Sequence, residues 1–322
     1  DIAVRGDIMY VDSYTDLLAF NISDPSNPTY VSRVEDVFNF SSYGDYPSFN
    51  REYPMALVQQ DQGIVVGWEV AETTDEVQDY WGGGWAVNET MLSSADGATA
   101  GIPVSSGTGG STAQFTIVND HLYTLEPNEI GVFDIAGEPV HVSDVTVNRV
   151  GETLFPSQGH LFIGTTTGML IYDLSNPALP SLRSEYDHFT ACDPVVVQGD
   201  RAYVTLATGR NCFGTIDVLQ VINIADMDNP VLIAEYQMEN PRGLGLDNDA
   251  LFLCDGPAGL KVFDKANDHT VDQNMLAQFP GIVTNDVIPN NGVLLMTSES
   301  GIYQYDYTNI QNITQLSHIP VR

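Results

Sequence analysis

Lysine is almost missing from this chain: Lys261 and Lys265 are the only two in 322 residues. With the arginines they make 11 bases against 43 acids, a net charge of −32. Nucleic acids and anionic membranes are held by Lys and Arg that release counterions, so neither is an expected partner. The acids are spread along the chain rather than clustered, which reads as solubility in a salty medium, with capture of cations or basic partners as the other meaning. Long apolar runs are missing too, and nothing approaches the ~18 residues of a membrane span. The chain opens on DIAVRGDIMY with no secretory leader, as the trimmed form of a secreted protein also would. Cysteine is scarce, at three residues, with no CxxC or Cys/His spacing for structural zinc. Cys192 and Cys212 flank one hairpin and are the candidate disulfide, which leaves Cys254 as a buried, reduced thiol. Catalytic signatures are absent: no HExxH, GxSxG, P-loop or dinucleotide fingerprint occurs. The six histidines are scattered, and His121 and His160 share one repeat position that makes them turn residues first.

What is present is a repeat. Seven short apolar strands each follow a tight-turn pair: IMYVDS from Ile8, GIVVGW from Gly63, HLYTLE from His121, HLFIGT from His160, RAYVTL from Arg201, ALFLCD from Ala250 and GVLLMT from Gly292. The preceding residues, such as Asn119-Asp120, Gly199-Asp200 and Asn248-Asp249, tolerate the positive φ of hairpin turns. A third strand follows in six units and closes on a polar anchor at Asn21, Asp134, Asp173, Asn223, Asp264 or Asp306. The last five anchors are 39, 50, 41 and 42 residues apart. The first gap, of 113 residues, leaves space for one further repeat and an insertion, and GIVVGW falls there. A fourth strand follows Asx- and Pro-containing turns such as SDPSNP and SNPALP, whose carboxylates read as turn caps rather than calcium ligands.

Four antiparallel strands per unit, repeated at this spacing, specify an all-β fold: a seven-bladed β-propeller of four-stranded blades, with six or eight blades as the alternatives. Residues 1–322 form one domain, with irregular insertions at about 38–54 and 73–112. The chain opens on a first strand and ends on a fourth, so closure by strand exchange between the termini is not evident.

The tracts LLAFNISDPSNP, LIYDLSNP and QVINIADMDNP, with CDPVVVQGDRAYVTL and NPRGLGLDNDALFLCDGPAGLKVFD, resemble LVIVD-repeat proteins of bacterial cell envelopes. The resemblance spans nearly the whole chain and departs from the pattern at the GIVVGW unit. It implies a propeller and an extracytoplasmic setting, in the periplasm or at the cell surface, often with a lipid anchor upstream of the mature domain. It supplies no catalytic set.

Two places can carry function. The insertions are rich in aromatics, and Tyr80, Trp81 and Trp85 around WGGGW suit sugar stacking or partner contact, unless they fold back over the irregular blade. Counting back ten residues from the aligned second strands gives Met55, Ala113, Glu152, Asp193, Arg242 and Thr284, with Asn285 and Asp286 adjacent. These mark where each innermost strand begins, so Glu152, Asp193, Arg242, Asn285 and Asp286 are candidate ligand residues at one channel mouth, or else a solvated funnel neutralised by Arg242. No cofactor is expected, although a divalent cation such as calcium could sit among these carboxylates. The function read from the sequence is a monomeric binding or scaffold module for a protein or carbohydrate partner at the cell surface, without turnover. The alternatives are a hydrolase or lyase at a metal- or carboxylate-lined mouth, and a purely structural assembly component.

Overall fold

The computed structural model describes residues 1–38, 110–188, 194–208 and 216–321. Every described strand belongs to a four-stranded antiparallel sheet built from consecutive strands. Blade 1 holds β1 (Ile2–Arg5), β2 (Ile8–Ser13), β3 (Asp16–Asn21) and β4 (Thr29–Val34). Blade 2 holds β5 (Phe115–Val118), β6 (His121–Glu126), β7 (Glu129–Asp134) and β8 (Val140–Thr146). Blade 3 holds β9 (Gly151–Ser157), β10 (His160–Thr165), β11 (Gly168–Asp173) and β12 (Ser181–Asp187). Blade 4 holds β13 (Val195–Gln198), β14 (Arg201–Leu206), β15 (Val218–Asn223) and β16 (Val231–Gln237). Blade 5 holds β17 (Leu244–Asp247), β18 (Ala250–Cys254), β19 (Leu260–Asp264) and β20 (Met275–Phe279). Blade 6 holds β21 (Thr284–Asn290), β22 (Val293–Ser298), β23 (Gly301–Asp306) and β24 (Thr314–Pro320).

The fold is a β-propeller of four-stranded blades, and the described residues form six of them rather than seven. The unit around GIVVGW lies outside the described residues. The physical reason is packing: Tyr10, Leu17 and Ala19 of blade 1 share one core with Phe115, Ile117, Leu122 and Phe133 of blade 2. No blade separates them, although the chain between them is long enough for one.

Local chemistry explains the regularity. All six third-strand anchors turn the chain in the same way: the side-chain oxygens of Asn21, Asp134, Asp173, Asn223, Asp264 and Asp306 each accept the N–H two residues on. Asp24 and Asp226, in the next turn, do the same for Ser26 and Asp228. These side chains are Asx-turn caps. Asn119, Asn248 and Asn291 take positive φ in the hairpin turns. The second and third strands carry the core. Leu161, Phe162 and Ile163 are fully buried, as are Phe252 and Leu253. The outermost strands β8 and β12 hold only exposed and half-buried positions. Polar links join neighbouring blades: Arg5 to Asp120, Arg183 to Asp228 at 2.7 Å and Arg201 to Asp268 at 2.6 Å.

Candidate functional site

The mouth where the innermost strands begin is built on blades 5 and 6. Arg242 precedes β17, its N–H donating to the Cys254 carbonyl at 2.7 Å and its carbonyl accepting the Thr205 hydroxyl at 2.6 Å. Its guanidinium donates through Nε to Asn240 Oδ1 at 3.1 Å and through Nη1 to Asn285 Oδ1. Asn240 is held in turn: its N–H donates to Asp255 Oδ1 at 2.8 Å and its Nδ2 to the Thr208 carbonyl at 3.0 Å. Asp255 is fully buried and takes Lys261 Nζ at 2.5 Å. A buried carboxylate is tolerated only with such compensation. One polar chain therefore runs Lys261–Asp255–Asn240–Arg242–Asn285.

Asp286 does something else. The Ser111 hydroxyl donates to its Oδ1 at 3.0 Å and the Thr112 hydroxyl to its Oδ2 at 2.8 Å. Ser111 Oγ also accepts the Leu244 N–H at 2.7 Å. The segment entering β5 thus crosses the mouth and is pinned to blades 5 and 6. The approach is close enough that a Cβ at Gly110 or Gly243 would collide with the Asp286 carboxylate. On the far side the Ala113 carbonyl accepts the Leu154 N–H at 2.8 Å, which ties the same segment to blade 3. Burial pushes the Asp286 carboxyl above its ordinary range, against the hydroxyl and backbone donors that favour the anion.

Of the residues chosen from sequence, Arg242, Asn285 and Asp286 meet at this mouth. Glu152 lies half-buried on β9, its carbonyl accepting Gln114 Nε2 at 3.4 Å. Asp193, Tyr80, Trp81 and Trp85, and both partners of the candidate disulfide, Cys192 and Cys212, lie outside the described residues, as does most of both insertions. Phe38, at the start of the first insertion, packs on Phe115 and Phe133 at ring separations of 5.8 and 6.1 Å. Cys254 is a free thiol, fully buried, and burial pushes its pKa up, which makes it inert. His160 is a scaffold residue: its Nδ1 donates to the Gln158 carbonyl at 2.8 Å and its Nε2 accepts Arg183 Nη1 at 2.8 Å. Among the described residues no three of His, Cys, Asp and Glu come together to hold a metal.

Sequence reasoning missed Ser111, Thr112, Asn240 and Asp255. The first two end a Gly/Ser-rich stretch that reads as filler, and their partner lies more than 170 residues away. Asp255 had one signal, an acid inside an otherwise apolar tract ahead of one of the two lysines.

Below the mouth a cavity of about 200 Å³ runs between the innermost strands β5, β9, β13, β17 and β21, and β1 contributes nothing to its lining. The segment 110–113 closes it at the end where those strands begin.

No curated protein matches this sequence. Among solved structures, 246 chains are similar in shape. A mitotic checkpoint complex chain is 10% identical, with a TM-score of 0.47 over 65% of this chain and 62% of that one. Apo AztD from Citrobacter koseri is 12% identical, with a TM-score of 0.47 over 67% of this chain and 62% of that one. The computationally designed Ika8 protein is 9% identical, with a TM-score of 0.49 over 99% of this chain and 85% of that one. The chain thus spans 62% of the length of the first two structures. The family model for the LVIVD repeat matches residues 1–36 and 157–188, which are the whole of blade 1 and the last three strands of blade 3, and in these two blades the chain is built of LVIVD repeats.

Proposed function

We propose that the protein is an extracytoplasmic binding or scaffold module of a bacterial cell envelope, a monomer that engages a protein or carbohydrate partner. The observation that carries this reading is the commitment of the mouth residues to the scaffold. Arg242 is held by Asn240 and Asn285, and Asp286 is occupied by Ser111 and Thr112. Side chains locked this way make a preorganised surface, which loses little entropy on binding. Among the described residues no helix is long and apolar enough to cross a membrane. The aromatic insertion residues Tyr80, Trp81 and Trp85 supply the stacking contacts in this proposal.

A hydrolase or lyase at the mouth is the second reading, favoured by Asp286, whose carboxyl is raised by burial as a general acid's would be. One screen separates the two. Melting temperature is followed with divalent cations and with soluble glycans, on wild type, Trp81→Ala/Trp85→Ala and Asp193→Ala. A glycan-dependent rise that the double aromatic variant loses supports the binding module. A cation-specific rise that Asp193→Ala abolishes moves the assignment to the mouth and to chemistry.

A further inference from the structure

The central cavity has a direction. Along β13 the residues pass from Val195, at 0% exposed, through Val197, at 6%, to an exposed Gln198. Along β17 they pass from buried Leu244 to half-buried Leu246, and along β21 from buried Thr284 to half-buried Pro289. Along these three strands burial therefore falls from where they begin to where they end, whereas β5 is buried throughout. At the sealed end, segment 110–113 is stitched to blades 3, 5 and 6. At the open end the hairpin turns carry exposed Asp200 and Asp249, with Asp120 paired to Arg5.

The lining that the described residues supply is uncharged. Phe115, Leu154, Phe155, Val196, Leu244 and Val287 supply most of its apolar wall, and its polar side chains are Thr116 and Gln198. Among the described residues no Asp, Glu, Lys or Arg lines it, in a chain with 43 acids and 11 bases. A charged ligand would lose its hydration there and meet no counter-ion among the described residues, which costs several kcal/mol. Among the described residues each innermost strand is paired with another strand on one side only, so its inward edge presents N–H and C=O groups that can meet a ligand's polar atom. The volume, about 200 Å³, exceeds the ~150 Å³ that suffices for benzene in an engineered core.

We propose that the propeller channel is a one-ended binding pocket, entered from the face where the innermost strands end, for a small uncharged molecule of one aromatic ring or comparable bulk. The acidic turns at the entrance repel anions of the same shape, and the uncharged wall refuses cations that have passed them. This pocket is separate from the mouth and the loop aromatics, so it can fail while the surface-binding reading stands, and the reverse.

Ligand-observed NMR and calorimetric titration with indole, benzoate and benzylammonium test it on the full chain. Indole is expected to bind wild type, with benzoate and benzylammonium at least tenfold weaker. Leu246→Trp places an indole ring of the protein's own at the entrance, and Gln198→Trp does so from the exposed rim. Each is expected to weaken indole binding at least tenfold. Gln198→Trp alters an exposed side chain, so it carries the test if Leu246→Trp does not fold. Failure of indole to bind wild type, indole binding unchanged in Gln198→Trp, or benzoate binding as tightly as indole would each overturn the proposal.

Discussion

The Ser111 hydroxyl donates to Asp286 Oδ1 at 3.0 Å, across a sequence separation of 175 residues. The same oxygen accepts the Leu244 N–H at 2.7 Å, so a single hydroxyl joins the entry to blade 2 with blades 5 and 6. Ser111→Ala leaves a buried N–H without this partner and removes one donor from a carboxylate. The expected cost is about 1–3 kcal/mol. Equilibrium urea unfolding measures it, and a loss under 0.5 kcal/mol, about the spread of ordinary surface substitutions, would remove the latch from the account.

Asp286 has a pH signature whose sign follows from burial. Its carboxyl is raised in the folded state, so that state holds the proton more tightly than the unfolded chain does. Its contribution is fully present below the unfolded value, about 4, and is lost as pH rises through the folded value. Asp286→Asn keeps the shape and removes the titration. Plots of melting temperature against pH for the two proteins should diverge upward from about pH 4, with wild type falling more steeply. Parallel curves would mean that Asp286 ionises as freely folded as unfolded.

The Asp255–Lys261 pair is a second buried electrostatic element. Asp255 is 0% exposed and also accepts the Glu239 and Asn240 N–H groups. Asp255→Ala strands the Lys261 ammonium and releases Asn240, at an expected cost of about 3–5 kcal/mol. Adding Lys261→Met should recover part of that loss, because the stranded charge goes and the backbone donors remain unpaired. A denaturation double-mutant cycle reads the coupling directly.

Between blades, Arg201 Nε meets Asp268 at 2.6 Å, while within blade 4 Arg201 Nη1 meets Asn223 Oδ1 at 3.3 Å. Both charged groups are partly exposed, so Arg201→Ala should cost only about 1 kcal/mol, and less at high salt. Unfolding midpoints with and without 1 M NaCl check both statements.

Phe162 is 0% exposed and packs with Val195, Val204 and Ile222 of the next blade. Phe162→Ala removes a ring from that interface, at about 3–5 kcal/mol. A chemical-denaturation midpoint lowered to that extent would show that packing between blades, more than the surface ion pairs, holds the ring together.

Much of this was legible in the chain. The strand order, the hairpin turns and the six Asx anchors follow from residues two to ten apart, where backbone preference and the nearest side chain decide the conformation. Counting back from an aligned strand reached Arg242 and Thr284, with Asn285 and Asp286 adjacent, because a regular repeat turns position in sequence into height in the blade. That count placed them at a mouth. It could not say whether the mouth was open.

The sequence by itself determined an all-β propeller of four-stranded blades, its turns and its local hydrogen bonds. Tertiary structure alone decided that blade 1 packs directly on blade 2, that Ser111 and Thr112 close one end of the channel on Asp286, and that Asp255 is neutralised by Lys261. The first set depends on short-range geometry that each repeat carries within itself. The second depends on which blades become neighbours, and that is set by burial and close approach over the whole ring, as Gly110 and Gly243 show by approaching the same carboxylate from positions 133 residues apart in the chain.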